Sequence, residues 1–246
     1  MSFRIFLHSV RLVLSQLVSA LKISGALYAL SLLVTVIAAM SQARLTLAGE
    51  VPIGWQTVVG AVVTCALYIW TAVGWHRFVL LDEEPGLVLP NFHGHRLLAY
   101  LGRTLQIALI GMLVAGFFGF VAVLLAFLLG PVASLLVALV ATIAMLLVSF
   151  RLAPLLPGAA IGQKVDLRDA WESTQLANGT LVGLALIAGV AVAAVDMVSA
   201  AVTALPGPMV WVGMAMFAIT GWFKLMVWVS IITTIYGVYV EGRRLR

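Results

Sequence analysis

The stretch IALIGMLVAGFFGFVAVLLAFLLG, residues 107–130, contains no charged side chain, no amide and no alternation of polar with apolar positions. A run of more than about 18 apolar residues reads as a helix crossing a bilayer, since about 20 residues rising about 1.5 Å each span a hydrocarbon core of about 30 Å. A membrane-barrel strand would place a polar residue at every second position, and this run does not. The whole chain follows the same rule. Of its 246 residues 63% are hydrophobic and 9% charged, against roughly 25% charged in soluble domains. Too few polar side chains exist to clothe a surface facing water, so lipid is the solvent for most of this protein.

Read along its length, the chain predicts an all-α, polytopic membrane helix bundle forming one domain over residues 1–246, with six crossings at about 23–40, 55–75, 104–129, 131–150, 180–204 and 220–240. Trp55 and Trp75 would mark the two ends of the second crossing, where amphipathic rings are favoured. Gly130-Pro131 predicts a tight turn, because the first turn of a helix needs no donor from proline. The last apolar stretch, 208–240, is too long for one simple crossing and too short for two. Residues 208–219 are therefore either a re-entrant or interfacial segment, or the extension of a strongly tilted helix.

Residues 3–22 resemble a secretory signal in charge and apolarity, but no small-residue cleavage pattern precedes a soluble chain. They are read instead as an amphipathic helix. At about 100° per residue, Arg4, His8, Arg11, Ser15, Ser19 and Lys22 fall on one stripe and apolar residues fill the rest. Such a helix lies in the headgroup plane with its basic edge toward anionic lipid. The competing reading turns that stripe toward other protein.

Lysine and arginine set the orientation. With the amino terminus inside, Arg4, Arg11, Lys22, Arg77, Arg96, Arg103, Arg151, Lys164, Arg168, Arg243, Arg244 and Arg246 fall on the inner side, leaving Arg44 and Lys224 outside. This bias predicts cytoplasmic termini. It also accounts for the formal charge of +5 without nucleic acid, since the basic residues flank the spans. Arg4, Arg11, Lys22, Arg77 and Arg151 are the expected contacts to anionic headgroups.

Asp196 is the chain's sharpest candidate for a functional group. It lies within an otherwise uncharged span, about 24 Å from the inner interface, and Lys224 in the next span arrives at about the same depth. Asp196 shares a face with Ala185, Gly189, Ala193 and Ala200, small residues that let a neighbouring helix approach. An intramembrane charge is expected to be paired, so the sequence predicts an Asp196–Lys224 ion pair. Two roles remain open for it, a structural pin or a proton or substrate relay. His76, His93 and His95, with Asp82, Glu83 and Glu84, offer imidazole and carboxylate for a metal, but an H-x-H in a loop fixes no geometry, and the expectation is no metal and no cofactor. No Ser-His-Asp order, phosphate-binding glycine loop, HExxH or CxxC is found. The lone Cys65 can form no internal disulfide.

The two inner loops resemble one another. WHRFVLLDEEPG (75–86) and SFRLAPLLPG (149–158) each carry Arg, apolar residues and Pro. VDLRDAWESTQLANG (165–179) predicts a helix capped by Asp166, with Asp169 at its third position, ending at Asn178-Gly179. The longer segment RLAPLLPGAAIGQKVDLRDAWESTQLANGTL resembles bacterial six-helix inner-membrane proteins, including the membrane domain that accompanies some glycerophosphoryl diester phosphodiesterases. That resemblance implies a bacterial inner membrane. It implies no catalysis, because the soluble phosphodiesterase barrel is absent, and it assigns no active-site residue. The expected function is non-enzymatic: a structural, assembly or lipid-organising protein meeting anionic headgroups or a membrane-protein partner. A small transporter using Asp196 and Lys224 is the alternative.

Overall fold

The computed structural model describes residues 1–47, 54–204, 207 and 209–244, and among these no strand occurs. The elements are α1 (Ser2–Ser15), α2 (Leu17–Leu47), α3 (Trp55–Leu81), α4 (Gly94–Leu129), α5 (Pro131–Leu152), α6 (Leu155–Ile161), α7 (Leu167–Ser173), α8 (Asn178–Thr203) and α9 (Met209–Tyr239), with a 3-10 turn at Gln175–Ala177. Six helical stretches are long and apolar enough to cross a membrane: α2, α3, α4, α5 running on into α6, α8, and α9. Six crossings bring both ends of the chain to one face, called here the termini face, and the opposite one the far face. Glu50, Pro208 and Arg246 lie outside the described residues.

Several boundaries differ from those expected, each for a local reason. The 3–22 helix divides at Gln16, whose backbone leaves the helical region (φ −112°, ψ 32°). The Ser15 hydroxyl donates to the Leu12 carbonyl at 3.2 Å, the kind of side-chain bond that competes with the helical ladder. Lys22 therefore stands in the second turn of a crossing helix. Of the last apolar stretch, Met209–Tyr239 is one continuous helix without proline, so residues 209–219 extend the crossing helix and form no separate segment. Gly213 lets it pass close to α8, because a Cβ there would lie 2.6 Å from the Thr203 Cα. Trp75 is no interfacial marker: it is fully buried, 5.5 Å from the Phe78 ring centroid. Asn178-Gly179 does not end a helix but begins α8, because Asn178 keeps helical angles (φ −48°, ψ −53°).

Other local signals act as expected. Gly130 joins α4 to α5 at φ +90°, a conformation that costs glycine little, and Pro131 opens α5. The Asp169 carboxylate accepts from the Asp166 backbone N–H at 3.0 Å, the reciprocal half of a capping box.

The core lies toward the termini face, where Ile5, Trp75, Leu181, Leu184, Met226 and Ile235 pack in one cluster drawn from α1, α3, α8 and α9. The α4–α5 hairpin joins this cluster near the termini face through Tyr100 and Phe150. Beyond the first turns of α4, residues such as Leu113, Phe117 and Phe127 are exposed.

Candidate functional site

The termini face is organised by α1. The Ser2 hydroxyl donates to the Thr180 carbonyl at 2.8 Å, and the Ser9 and Thr234 hydroxyls meet at 3.1 Å. Thr180 is in the first turn of α8 and Thr234 is near the end of α9, so α1 lies across the two helices rather than along them. At about 100° per residue it presents three faces. Ile5, Ser9 and Val13 are fully buried; Phe3 and Leu14 on a second face are exposed. The third face carries Arg4, His8 and Arg11, with both arginines exposed. Lys22, just beyond the Gln16 break, is exposed as well.

The two arginines at the termini-face ends of α3 and α5 are turned into the protein instead. Arg77 donates from Nε to Glu83 Oε2 at 2.6 Å and from Nη1 to the Ala160 carbonyl at 3.2 Å. Arg151, buried, donates from Nε to Asn178 Oδ1 at 3.0 Å and from Nη2 to the Gln175 carbonyl at 3.2 Å, with its guanidinium 4.2 Å from the Trp171 ring centroid. Both were expected at headgroups. Both are engaged by protein acceptors in the segments packed against their helix ends, a carboxylate and a carbonyl for Arg77 and an amide oxygen and a carbonyl for Arg151. They share one role, bracing the segment that follows their span, which gives the loop resemblance a structural meaning.

Glu83 gathers the first loop. It accepts from Asn91 at 2.9 Å and lies 3.6 Å from His93 Nε2. Burial by itself would raise its carboxyl. The hydrogen bonds from Asn91 and Arg77, the Arg77 charge and a contribution from His93 outweigh burial and hold Glu83 below its ordinary range.

Asp196 and Lys224 are brought together: Lys224 Nζ donates to Asp196 Oδ1 in an ion pair. Counting from Asn178 and from Tyr239, they stand about 27 Å and about 22 Å from the termini face, in the half of the bundle toward the far face. Side chains on a helix lean toward its amino end, and α9 begins at the far face. Lys224 accordingly reaches that way, to 5.7 Å from the Phe217 ring centroid.

His76 sits apart from the loop histidines. It is fully buried, with Nδ1 2.8 Å from Thr233 Oγ1 and Nε2 3.4 Å from the Tyr100 hydroxyl. Thr233 donates its own proton to the Val229 carbonyl at 2.8 Å, so its oxygen must accept from His76. The proton is thereby assigned to Nδ1, leaving Nε2 to accept from Tyr100. His93 is engaged by Glu83, and His95 is exposed on α4. Among the described residues no three of His, Cys, Asp and Glu are grouped to hold a metal ion.

One feature was not read from the sequence. A cleft of about 760 Å³ runs between the α2–α3 hairpin and α4, α6 and α9. Its signal was present as facing stripes of small and weakly polar residues, Thr35, Ala38, Ala39 and Gln42 on α2 against Ala61, Thr64, Cys65 and Tyr68 on α3, each at i, i+3, i+4, i+7.

No family model matches the chain, and no curated protein or solved structure matches it. Fold and span count therefore define its class: a multi-pass, all-helical integral membrane protein.

Proposed function

We propose that the protein is a non-enzymatic, lipid-organising component of a bacterial inner membrane, with its termini face in the cytoplasm and anionic headgroups bound along α1. The observation that carries this reading is the three-faced construction of α1. One face is locked to α8 and α9, one offers exposed Phe3 and Leu14, and one offers exposed Arg4 and Arg11. A helix held flat with apolar and basic faces both free suits the boundary between acyl chains and headgroups. Each basic residue near an anionic surface contributes about 1 kcal/mol.

The test is lipid retention. Protein extracted from mixed bilayers into nanodiscs should carry anionic phospholipid in excess over zwitterionic, measured by mass spectrometry of the bound lipid. The triple variant Arg4→Ala, Arg11→Ala, Lys22→Ala should lose that excess, and a triple variant keeping positive charge (Arg4→Lys, Arg11→Lys, Lys22→Arg) should retain it. An unchanged lipid ratio in the alanine variant ends the reading.

A small transporter using the ion pair is the second reading, favoured by Asp196, whose side chain stays 46% exposed despite its partner. Against it, neither Asp196 nor Lys224 lines the large cleft. The ion pair and the cleft do not meet.

A further inference from the structure

Along their whole length α8 and α9 carry two charged side chains, Asp196 and Lys224. Pairing them leaves bonding capacity unused. Lys224 Nζ donates to Asp196 Oδ1, and among the described residues Asp196 Oδ2 accepts no hydrogen bond. The ammonium has three protons to give and finds one acceptor and the Phe217 ring. Neither group is sealed inside the bundle, with 46% of the Asp196 side chain and 20% of the Lys224 side chain exposed. Asp196 stands about two turns inside the Thr203 end of α8. Its open side therefore meets hydrocarbon, which offers no donor.

We infer that a second copy of this chain covers the pair. The two α8–α9 hairpins lie side by side about a two-fold axis along the bilayer normal, and each Asp196 accepts from the partner's Lys224 as well as from its own. Depth and charge argue together for a copy over any other occupant. Copies of one chain insert with one orientation, and rotation about the normal preserves height. The partner's base thus arrives at the level of the acid that lacks a donor. The pair is neutral but dipolar. A two-fold axis sets two such dipoles antiparallel in the membrane plane, so the four charges alternate in sign around it. A phospholipid brings its polar atoms only to headgroup level, and an unrelated helix would need a polar side chain of its own at this depth. The contact is isologous and closes at two chains.

The surface around the pair permits the approach. Gly189, Ala193 and Ala200 share the face of α8 that carries Asp196, and all three are exposed. A Cβ added at Gly189 would meet nothing within 4 Å, so that position is open. Small residues let neighbouring backbones come close, and short side chains on both copies bring the two pairs within bonding reach. The inference goes beyond the lipid-organising reading and does not depend on it.

Counting chains in bilayers tests it. Cys65, the single cysteine, is exposed and takes one fluorophore. In liposomes of phosphatidylcholine with phosphatidylglycerol, at a protein-to-lipid ratio too low for chance co-occupancy, single spots of labelled wild type should bleach in two steps. Ala193→Trp puts bulk on the contact face at an exposed position and should bleach in one step. Val198→Trp, also at an exposed position but on the opposite side of α8, should keep two. The charge-free double variant Asp196→Leu, Lys224→Met should bleach in one step, because the alternating charges hold the contact. Asp196→Asn provides the same test with the side-chain shape kept, should the double variant not fold.

One-step bleaching of wild type, or more than two steps, would overturn the closed pair of chains. Two steps surviving in folded Ala193→Trp would place the contact elsewhere, and two steps surviving in a folded charge variant would remove the ion pair as its cause. Either result ends the inference. Lipid retention through Arg4, Arg11 and Lys22 is read separately, at the other end of the bundle, so its failure leaves the step count untouched.

Discussion

At the scale of single residues, the ion pair shows what constant helical geometry makes visible. A rise of about 1.5 Å per residue is enough to bring an acid and a base on consecutive antiparallel helices to similar heights, and the structure joins Asp196 to Lys224. Breaking such a pair from one side is costly because it strands the other charge, by about 3–5 kcal/mol when burial is complete. Asp196 is half-exposed, but at its depth that exposure is to lipid, which does not solvate a stranded charge. Lys224→Met alone should therefore lower the thermal midpoint in detergent more than Asp196→Leu combined with Lys224→Met, which removes both charges together. If the double variant proves the less stable, the pair does more than neutralise itself. His76 illustrates the opposite limit. Its partner Thr233 is 157 residues away, and no local spacing announces a contact made only when α3 packs on α9. The sequence grouped His76 instead with His93 and His95, which lie in the loop before α4 and in its first turn.

Elements were legible wherever apolar length or a turn residue decided them. The existence of six crossings, the Gly130 turn and the Asp169 cap all follow from local chemistry. The ends of α2, α4 and α9 were not legible, since a helix entering the headgroup region keeps its hydrogen bonds after its apolarity fades. Nor was the break at Gln16, where one amphipathic stripe runs unbroken through two helices that point in different directions. The loop between α3 and α4 carries the prediction proper to this scale. Because Glu83 titrates below its ordinary range in the folded protein, its ionised form is favoured by folding. Its stabilisation is complete above the ordinary glutamate value of about 4.3 and is lost as pH falls through the lower folded value. Wild type should thus exceed Glu83→Gln in thermal midpoint at neutral pH, and the gap should shrink on acidification below about pH 4.3. A gap that is constant from pH 7 to pH 3 would mean that the Arg77 and Asn91 bonds do not depend on the carboxylate charge.

At the scale of the whole molecule, the distribution of burial is unequal, and the solvent explains why that is tolerable. Leu184 and Ile235 are fully buried among α1, α8 and α9, while Leu113 and Phe117 on the α4–α5 hairpin are 68% and 64% exposed. In water such a hairpin would collapse onto the bundle. In a bilayer, lipid tails are as apolar as leucine, and no hydrophobic force drives helices together. Truncation separates the two environments. Leu184→Ala and Ile235→Ala leave cavities that neighbouring helices cannot close, at about 2–5 kcal/mol each, whereas lipid refills the space lost by Leu113→Ala or Phe117→Ala, which should stay within about 0.5 kcal/mol. Reversible unfolding by a denaturing detergent measures all four on one scale. Should Phe117→Ala cost as much as Ile235→Ala, the hairpin is not solvated by lipid but covered by protein. The scaffold or assembly role, with a membrane-protein partner seated on α4 and α5, would then displace lipid organisation as the reading of this fold.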